Sequence, residues 1–196
     1  MADKPFAEAA QQNRDAILPV LQEVFAHARK VLEIGSGTGQ HAVYFAQHLN
    51  YLSWQSSDQR SMLPGIQQWI DDAQLPNLPD ALELDVNTAW PEEKFDTAFA
   101  ANIAHIMHWQ EIEALFNGLS NVLVTNAIFC LYGPFNLNGN YTSESNQRFD
   151  SWLKRRDPDS GLRDKVALDE LALAYGFKAE KSFSMPANNK ILCWKK

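Results

Sequence analysis

The chain has 196 residues, a formal net charge of −7 and 45% hydrophobic residues, a length that predicts one domain (1–196) with a full core. The acidic balance, without a basic run, argues against a nucleic-acid partner, and no apolar stretch is long enough for a bilayer, so no membrane association is expected. The N-terminus lacks a basic segment followed by an apolar core, and Cys130 and Cys193 lie in apolar surroundings. These features favour a cytoplasmic protein with reduced, buried thiols.

The first half of the chain alternates between helical and strand patterns. Apolar residues at helical spacing predict a helix over 8–27, in which Pro19 marks a kink or a boundary. The elements predicted next, in chain order, are a strand over 30–35, a helix over 40–49, a strand over 52–57 ending at Asp58, a helix over 62–73, and strands over 81–84 and 95–101.

The second half continues this alternation and then ends in two strands with no room for a helix between them. That ending predicts one antiparallel strand. The whole pattern predicts an α/β fold, a three-layer αβα sandwich whose seven-stranded sheet is otherwise parallel. The predicted elements are a helix over 109–122, a strand over 127–132, a polar loop over 133–143, helices near 144–156 and 167–175, and strands over 177–183 and 190–194.

Three glycines follow the first strand at alternate positions. Gly35, Gly37 and Gly39 come after Glu33 and directly before the next helical pattern. Glycine lets a backbone approach a ligand where a Cβ would clash, and the turn directs free N–H groups toward that ligand. A purely structural turn between strand and helix is the alternative. The spacing also differs from the Gly-x-Gly-x-x-Gly of dinucleotide-binding folds.

The pattern Glu-x-Gly-x-Gly-x-Gly resembles motif I of class I S-adenosylmethionine (SAM) methyltransferases, which have a Rossmann-like fold. The resemblance implies that the methionine part of SAM packs over the glycine loop of Gly35, Gly37 and Gly39. It also implies that Glu33 organises the ammonium side of the pocket. SAM is therefore the expected cofactor.

Two further acidic residues end the second and third predicted strands, where ligands of open α/β sheets bind. Asp58 lies 19 residues after Gly39, and its carboxylate can accept both hydroxyls of a ribose. In methyltransferases an acid at the position of Asp85 accepts the adenine amino hydrogens, and the next residue, here Val86, donates to the ring from its backbone. The structural alternatives are a turn aspartate at Asp58 and a helix N-cap at Asp85.

The fourth strand leads into a segment that carries an amide and two histidines. Asn102 is predicted to hydrogen-bond the amino-acid end of SAM or the substrate, and His105 to act as a general base. Each histidine has a structural alternative, and His108 is interpreted as helix-start packing. The spacing of the two histidines also permits a metal pair, but no third ligand is evident in the sequence, so no metal is expected.

The loop after the fifth strand is rich in turn formers and aromatic residues. Segment 133–165 is therefore predicted to be a substrate-side loop and helix, acting as a lid or specificity loop. Tyr132 and Asn146 are candidate substrate-binding residues, and Arg163 is predicted to hold a carboxylate or phosphate. An ordinary surface loop is the alternative.

Blocks of residues along nearly the whole chain resemble the methyltransferase-like 26 family. Two positions depart from the family pattern: His108, where proline is expected, and Gly35, where alanine is frequent. The resemblance implies a SAM-binding fold and methyltransferase activity without naming a substrate. The blocks are Asn13-Arg14 with Ile17-Leu18, 32–41, 54–58, 84–86, Asn102, His105-Ile106, Trp109, 132–135, Ser145-Asn146, Phe149-Asp150, 161–164 and 185–189.

The N-terminal residues 1–28 are predicted to form a helical cap, since such a helix can close over the cofactor in class I methyltransferases. Asn13 and Arg14 lie on this helix. Arg14 is a cation on a helix whose remaining face is apolar, so we expect it to contact the SAM carboxylate or the substrate. Asn13 is a second candidate for substrate binding.

The predicted function is in-line methyl transfer to a small-molecule acceptor by a monomer or homodimer. The sulfonium already activates the methyl group, so the enzyme mainly aligns the acceptor and excludes water. Two alternatives remain open. One is a SAM-binding protein without catalysis, and the other is an NAD-dependent oxidoreductase, which Asp58 would also serve.

Overall fold

The computed structural model describes residues 4–196, so the first three residues of the predicted cap lie outside the described part. Six α-helices and seven strands occupy that part, and a short 3-10 turn over Pro186–Asn188 joins the last two strands. Their bounds are α1 Glu8–Val24, β1 Lys30–Ile34, α2 Gln40–His48, β2 Ser53–Asp58, α3 Leu63–Ala73, β3 Leu82–Glu83, β4 Phe95–Ala101, α4 Trp109–Val122, β5 Leu123–Pro134, α5 Glu144–Arg156, α6 Lys165–Ala174, β6 Lys178–Met185 and β7 Asn189–Lys195.

The strands form one sheet in the order β3-β2-β1-β4-β5-β7-β6. The five strands from β3 to β5 pair in parallel, whereas β7 is antiparallel to both β5 and β6. The predicted fold, a mostly parallel seven-stranded sheet with one antiparallel strand, is confirmed. Because these strands run in one direction, the carboxyl ends of β1, β2, β3 and β4 lie on the same side of the molecule.

Several elements differ by a few residues at their ends from the sequence-based prediction, and three of the differences concern more than an end. Strand β5 begins at Leu123 rather than at 127, because α4 passes directly into extended backbone there (φ −83°, ψ 141°). Strand β3 has only two residues. Helix α1 continues through Pro19, which is exposed, so the ring neither ends the helix nor meets the core.

Two apolar clusters pack on opposite faces of the sheet and make the three layers. On one face α4 and α6 bury aromatic rings such as Phe116, which meets Trp194 edge to face with centroids 5.4 Å apart. On the other face α1, α2 and α3 cover Trp54 and Phe99. Each fully buried large side chain contributes about 1.5–3 kcal/mol, so these clusters dominate the stability of the fold.

The two open edges of the sheet are short or charged. At one edge lies the two-residue strand β3. At the other, β6 carries the exposed residues Lys178, Glu180 and Lys181. Within residues 4–196, no helix combines the length and the apolar character needed to cross a bilayer.

The two cysteines face each other across the antiparallel pair of β5 and β7. Cys130 and Cys193 are register partners, both are buried, and their Sγ atoms lie 3.1 Å apart without a disulfide. The predicted burial of both thiols is therefore confirmed.

Candidate functional site

A cavity of about 530 Å³ opens at the carboxyl ends of β1, β2, β3 and β4. The loop after β1, the end of β2, the residues after β3 and the segment after β4 form its walls, and the start of α1 covers one side. Most of the predicted cofactor residues border this single space. They are Gly35, Gly37, Asp58, Asp85, Val86 and Asn102.

The glycine loop (residues 35–39) presents bare backbone to the cavity. Gly37 has φ +60°, and a Cβ there would meet no atom within 4 Å, because it would project into open space. Gly39 (φ +89°) has a different function, since a Cβ there would approach the backbone of Ile66 to 3.0 Å. Gly37 therefore borders a ligand space, whereas Gly39 allows α2 to pack closely against α3.

Asp58 links the end of β2 to the glycine loop. Its Oδ2 accepts the Gly37 N–H at 2.7 Å, and its Oδ1 accepts the Gln59 N–H at 2.7 Å. Burial raises the pKa of Asp58, and these two backbone N–H bonds oppose that rise. A carboxylate has about four acceptor sites, so both oxygens can still accept hydroxyl groups from a ligand.

Glu33 lies behind the loop, in the interior of the sheet, and is 2% exposed. Trp54 Nε1 donates to Glu33 Oε2 at 2.9 Å. Burial raises the pKa of Glu33 to about 7. The structure therefore places this carboxyl group beneath the loop that it was predicted to serve, bonded to an indole of β2.

Asp85 follows β3 and Asn102 follows β4, and both residues border the cavity. Asp85 Oδ1 accepts the Asn87 N–H at 2.9 Å, which fixes the turn that follows β3. Asn102 has φ +61°, and its N–H donates to the Tyr132 carbonyl at 2.9 Å. Asparagine is one of the few non-glycine residues that adopt this conformation readily, so Asn102 fits the sharp turn that follows β4.

Apolar and small residues complete the cavity, and sequence reasoning missed them. Ala7, Ala10, Met62, Ile106 and Met107 all border it. Such side chains carry no chemical signature, so nothing in the sequence separates them from ordinary core or surface residues. Their presence makes the cavity largely apolar between its few polar groups, as ligand sites are.

Asn13, His41 and Tyr132 meet near the α1 side of the cavity. The Asn13 Oδ1 lies 2.7 Å from His41 Nε2, and the Asn13 side chain lies near enough to the Tyr132 phenol to oppose the rise in its pKa that burial causes. His41 itself borders the cavity. Burial lowers the pKa of His41 to about 4, so the ring is neutral at pH 7. Three residues far apart in sequence therefore form one buried polar cluster.

Arg14 lies over the Tyr44 ring, near enough to His41 for its charge to help lower the pKa of that residue. Its guanidinium carbon lies 4.5 Å from the Tyr44 ring centroid, and its Nε lies 3.7 Å from Asp15 Oδ1. The structure thus places Arg14 on the contact between α1 and α2.

His105 and Arg163 belong to a second group of contacts, beside Phe149. His105 is 8% exposed, its ring lies 5.1 Å from that of Phe149, and its carbonyl accepts the Gly161 N–H at 2.9 Å. Burial, with a smaller effect of the Arg163 charge, lowers the pKa of His105 to about 4. The cavity is bordered by its neighbours Ile103 and Ile106, while the His105 ring packs against α5.

The Arg163 guanidinium is bonded to backbone carbonyl groups. Its Nε donates to the Ala104 carbonyl at 3.1 Å, and its Nη2 donates to the carbonyls of Met107 and Asp159. These bonds join the segment after β4 to the loop that follows α5.

His108 lies at the same junction, with two acidic neighbours. The side chains of His108, Asp157 and Asp159 each offer an atom that could coordinate a metal ion, and these atoms lie within 4.8 Å of one another. His108 Nε2 lies 2.7 Å from Asp157 Oδ2, and Asp157 Oδ1 accepts the Asp159 N–H at 3.1 Å. Asp157 Oδ2 thus connects the start of α4 to the end of α5, while its Oδ1 orders the loop that follows α5.

Segment 133–165 is organised around Asn146 and Asp150 of α5. Asn146 Nδ2 donates to Thr142 Oγ1 at 2.9 Å and to the Asn188 carbonyl at 3.2 Å. Asp150 is buried and accepts the Tyr141 hydroxyl and the Leu162 N–H, each at 2.7 Å. The long loop is therefore ordered by α5 and reaches the turn between β6 and β7.

Comparison with known families assigns the whole described chain. The profile of the family described as "Protein of unknown function (DUF938)" matches residues 4–196. The chain belongs to the DUF938 family. This match spans every element of the sheet and every residue of the cavity.

Solved structures with the same fold are distant in sequence from this DUF938 member. The apo form of the SAM-dependent methyltransferase SibL has a TM-score of 0.82 at 16% identity, over 96% of this chain and 55% of that chain. An O-methyltransferase family protein from Burkholderia thailandensis gives 0.82 at 14%, over 96% and 56%. Human N-acetylserotonin methyltransferase in complex with SAM gives 0.81 at 14%, over 96% and 53%.

These likenesses show that the chain shares the fold of these structures. The DUF938 chain spans about half the length of the structures that it matches. The matched region covers 96% of the DUF938 chain in each case.

Proposed function

We propose that this protein is a SAM-dependent methyltransferase acting on a small-molecule acceptor. One observation carries the proposal: the bare backbone of Gly37 and the carboxylates of Asp58 and Asp85 border the same cavity of about 530 Å³. The pairing of a backbone cradle with two acids at consecutive strand ends fits a nucleoside bearing an amino-acid tail. The fold shared with proteins named as methyltransferases supports it.

The residues of the cavity suit the parts of SAM. Gly37 would face the methionine part, Asp58 the ribose hydroxyls, and Asp85 with the Val86 backbone the adenine edge. When bound, SAM supplies a methyl group that the sulfonium charge makes electrophilic. Apolar residues such as Ile103 and Met107 exclude water from the site, which favours transfer to the acceptor over hydrolysis.

We propose that the acceptor lies beside Asn102, which borders the cavity. The predicted substrate residues Asn13, Tyr132 and Asn146 do not border the cavity of the described chain, so we propose that they support the acceptor site through their own hydrogen bonds. For an acceptor that must lose a proton, we propose His105 as the base. Burial lowers its pKa to about 4, so the ring is neutral at pH 7 but weakly basic, and it suits an acceptor that ionises readily. The ring faces Gly133 and Phe149, within the proposed substrate side of the fold.

The test is calorimetric titration with S-adenosylhomocysteine and, separately, with NAD. We expect the wild-type protein to bind S-adenosylhomocysteine with about micromolar affinity, equivalent to about 8 kcal/mol, and not to bind NAD. Asp58→Ala and Asp85→Ala should each weaken binding more than tenfold. Glu83→Ala is the matched control, since Glu83 is an exposed acid two residues before Asp85 that bonds Arg60 instead.

Three other outcomes would each change the proposal. Binding of NAD alone would replace it with the oxidoreductase alternative. Silence toward both nucleotides would overturn the cofactor assignment. Binding of S-adenosylhomocysteine, without methyl transfer from SAM to any of a broad panel of metabolites, would favour a SAM-binding protein without catalysis.

We further propose that the chain is a methyltransferase-like 26 relative that works in the cytoplasm as a monomer or homodimer. Residues from separate blocks of that resemblance, Asn13, His41 and Tyr132, contact one another, which supports a shared site. The two buried, unbridged cysteines support a reducing compartment. Light scattering of the purified chain would decide between the two oligomeric states.

A further inference from the structure

The side of the cavity nearest the N-terminus is formed by small residues of one segment. Ala7, Ala9 and Ala10 border the cavity together with the glycine loop. Because alanine side chains are short, the backbone of α1 itself lies close to the proposed cofactor. The position of this helix therefore sets how closed the cavity is.

Gln40, the first residue of α2, holds the start of α1. Its Oε1 accepts the Ala7 N–H at 2.5 Å and the Thr38 hydroxyl at 2.9 Å, and its side chain is buried. The first N–H groups of a helix have no partner within the helix. In a capping box a Glu or Gln of the helix's own first turn accepts such an N–H, but α1 has Ala10 there. Gln40 supplies the acceptor from the neighbouring helix instead.

His41, the next residue, holds α1 at two further points. Its Nε2 lies 2.7 Å from Asn13 Oδ1, and its ring lies beside the Ala10 backbone. Ala7, Ala10 and Asn13 are spaced by three residues, so they lie along one face of α1. Two consecutive residues of α2 thus contact successive turns of the helix that covers the cavity.

The chain just before α1 is attached to α3. Trp69 Nε1 donates to the Pro5 carbonyl at 2.8 Å. Lys4 Nζ lies 3.9 Å from the Trp69 ring centroid and 2.6 Å from Asp72 Oδ2. The covering segment is therefore held by α3 through Trp69 and Asp72 and by α2 through Gln40 and His41.

We propose that Gln40 and His41 are positioning residues that hold α1 closed over the cofactor, so that loosening this contact opens the cavity. The inference rests on the proposed function. Thr38 borders the cavity and shares the Gln40 oxygen, so a ligand that contacts the glycine loop also stabilises α1.

Gln40 is retained at a cost in stability. Within residues 4–196 its Nε2 is buried and has no hydrogen-bond partner. An unpaired buried N–H group lowers the stability of a fold, which an apolar side chain at this place would avoid. The acceptor oxygen, and hence its grip on α1, is what the glutamine provides.

The test uses the full chain and two readouts, hydrogen exchange of residues 4–13 and the dissociation rate of S-adenosylhomocysteine. Gln40→Met keeps the length of the side chain and removes the acceptor. We expect it to speed both exchange in the free protein and dissociation about fivefold. Tyr44→Phe is the matched control, because it removes a 2.7 Å bond to Asp15 on the solvent side of the same helix pair. It should change neither rate.

Gln40→Glu provides the conservative variant, since its carboxylate can still accept the Ala7 N–H. It should restore slow exchange and slow dissociation. Equal dissociation from wild type and Gln40→Met would overturn this inference alone, as would equally fast dissociation from Tyr44→Phe. A wild-type protein that does not bind S-adenosylhomocysteine would overturn the proposed function and, with it, this inference.

Discussion

At the scale of single residues, the glycine loop distinguishes two glycines that look alike in sequence. Gly35 has φ +70°, and a Cβ there would lie 2.6 Å from Ile103 Cγ2. Gly37 has a similar φ, but a Cβ there would enter open space. The first glycine is therefore required by packing, and the second by what the cavity must hold.

Alanine should mainly lower stability at Gly35 and mainly weaken ligand binding at Gly37. Gly35→Ala combines a strained backbone with a clash, so we expect a loss of about 3 kcal/mol in the free energy of unfolding. Gly37→Ala meets only the backbone strain, about 1 kcal/mol, but should weaken S-adenosylhomocysteine binding more than tenfold. Denaturant unfolding and calorimetry on both variants check this. A stable Gly35→Ala protein would show that Ile103 can move aside, as the alanine of related sequences would require.

Glu33 gives the fold a pH dependence of known sign. Burial raises its pKa from 4.5 to about 7, so between these values the folded protein holds a proton that the unfolded chain releases. The stabilisation is fully present below about pH 4.5 and is lost as pH rises through about 7. Glu33→Gln stays neutral at every pH. Its free energy of unfolding relative to wild type should therefore increase by about 3 kcal/mol as the pH rises from about 4.5 to above 7. Denaturant unfolding of both proteins across this range tests it, and a constant difference would contradict the assignment.

At the scale of elements, Arg163 fastens the segment after β4 to the loop after α5. Its guanidinium bonds the carbonyls of Ala104 and Met107 on one side and of Asp159 on the other. Met107 and Ile103 of the fastened segment line the cavity. The loop after α5 therefore supports the cavity wall, although none of its described residues borders the cavity.

Arg163→Ala should lower the free energy of unfolding by about 3 kcal/mol, because buried carbonyl groups lose a charged donor. It should also weaken S-adenosylhomocysteine binding several-fold through the displaced cavity wall. Arg156→Ala is the control, because it removes the same charge from a residue that stacks on the exposed Trp152. Unchanged stability of Arg163→Ala, with a defect confined to turnover, would instead support the substrate-binding role predicted from sequence.

At the scale of the whole molecule, periodicity predicted the order of elements and the sheet, because each element buries a face that its own residues mark. The acids at strand ends could be assigned to one cavity for the same reason, since parallel strands end together. Contacts between distant segments could not be predicted this way. The bond from Gln40 to Ala7, and the turn of His105 toward Phe149, depend on how helices pack, which no local pattern encodes.

The edges of the sheet have a consequence for handling the protein. An exposed strand edge is a template for pairing with another chain, and this sheet ends in a two-residue strand on one side. On the other side, Lys178, Glu180 and Lys181 set charges along β6, where a foreign strand would have to bury them. Together with a net charge of −7, these edges oppose aggregation, so concentrated samples should stay dispersed for spectroscopy and crystallisation.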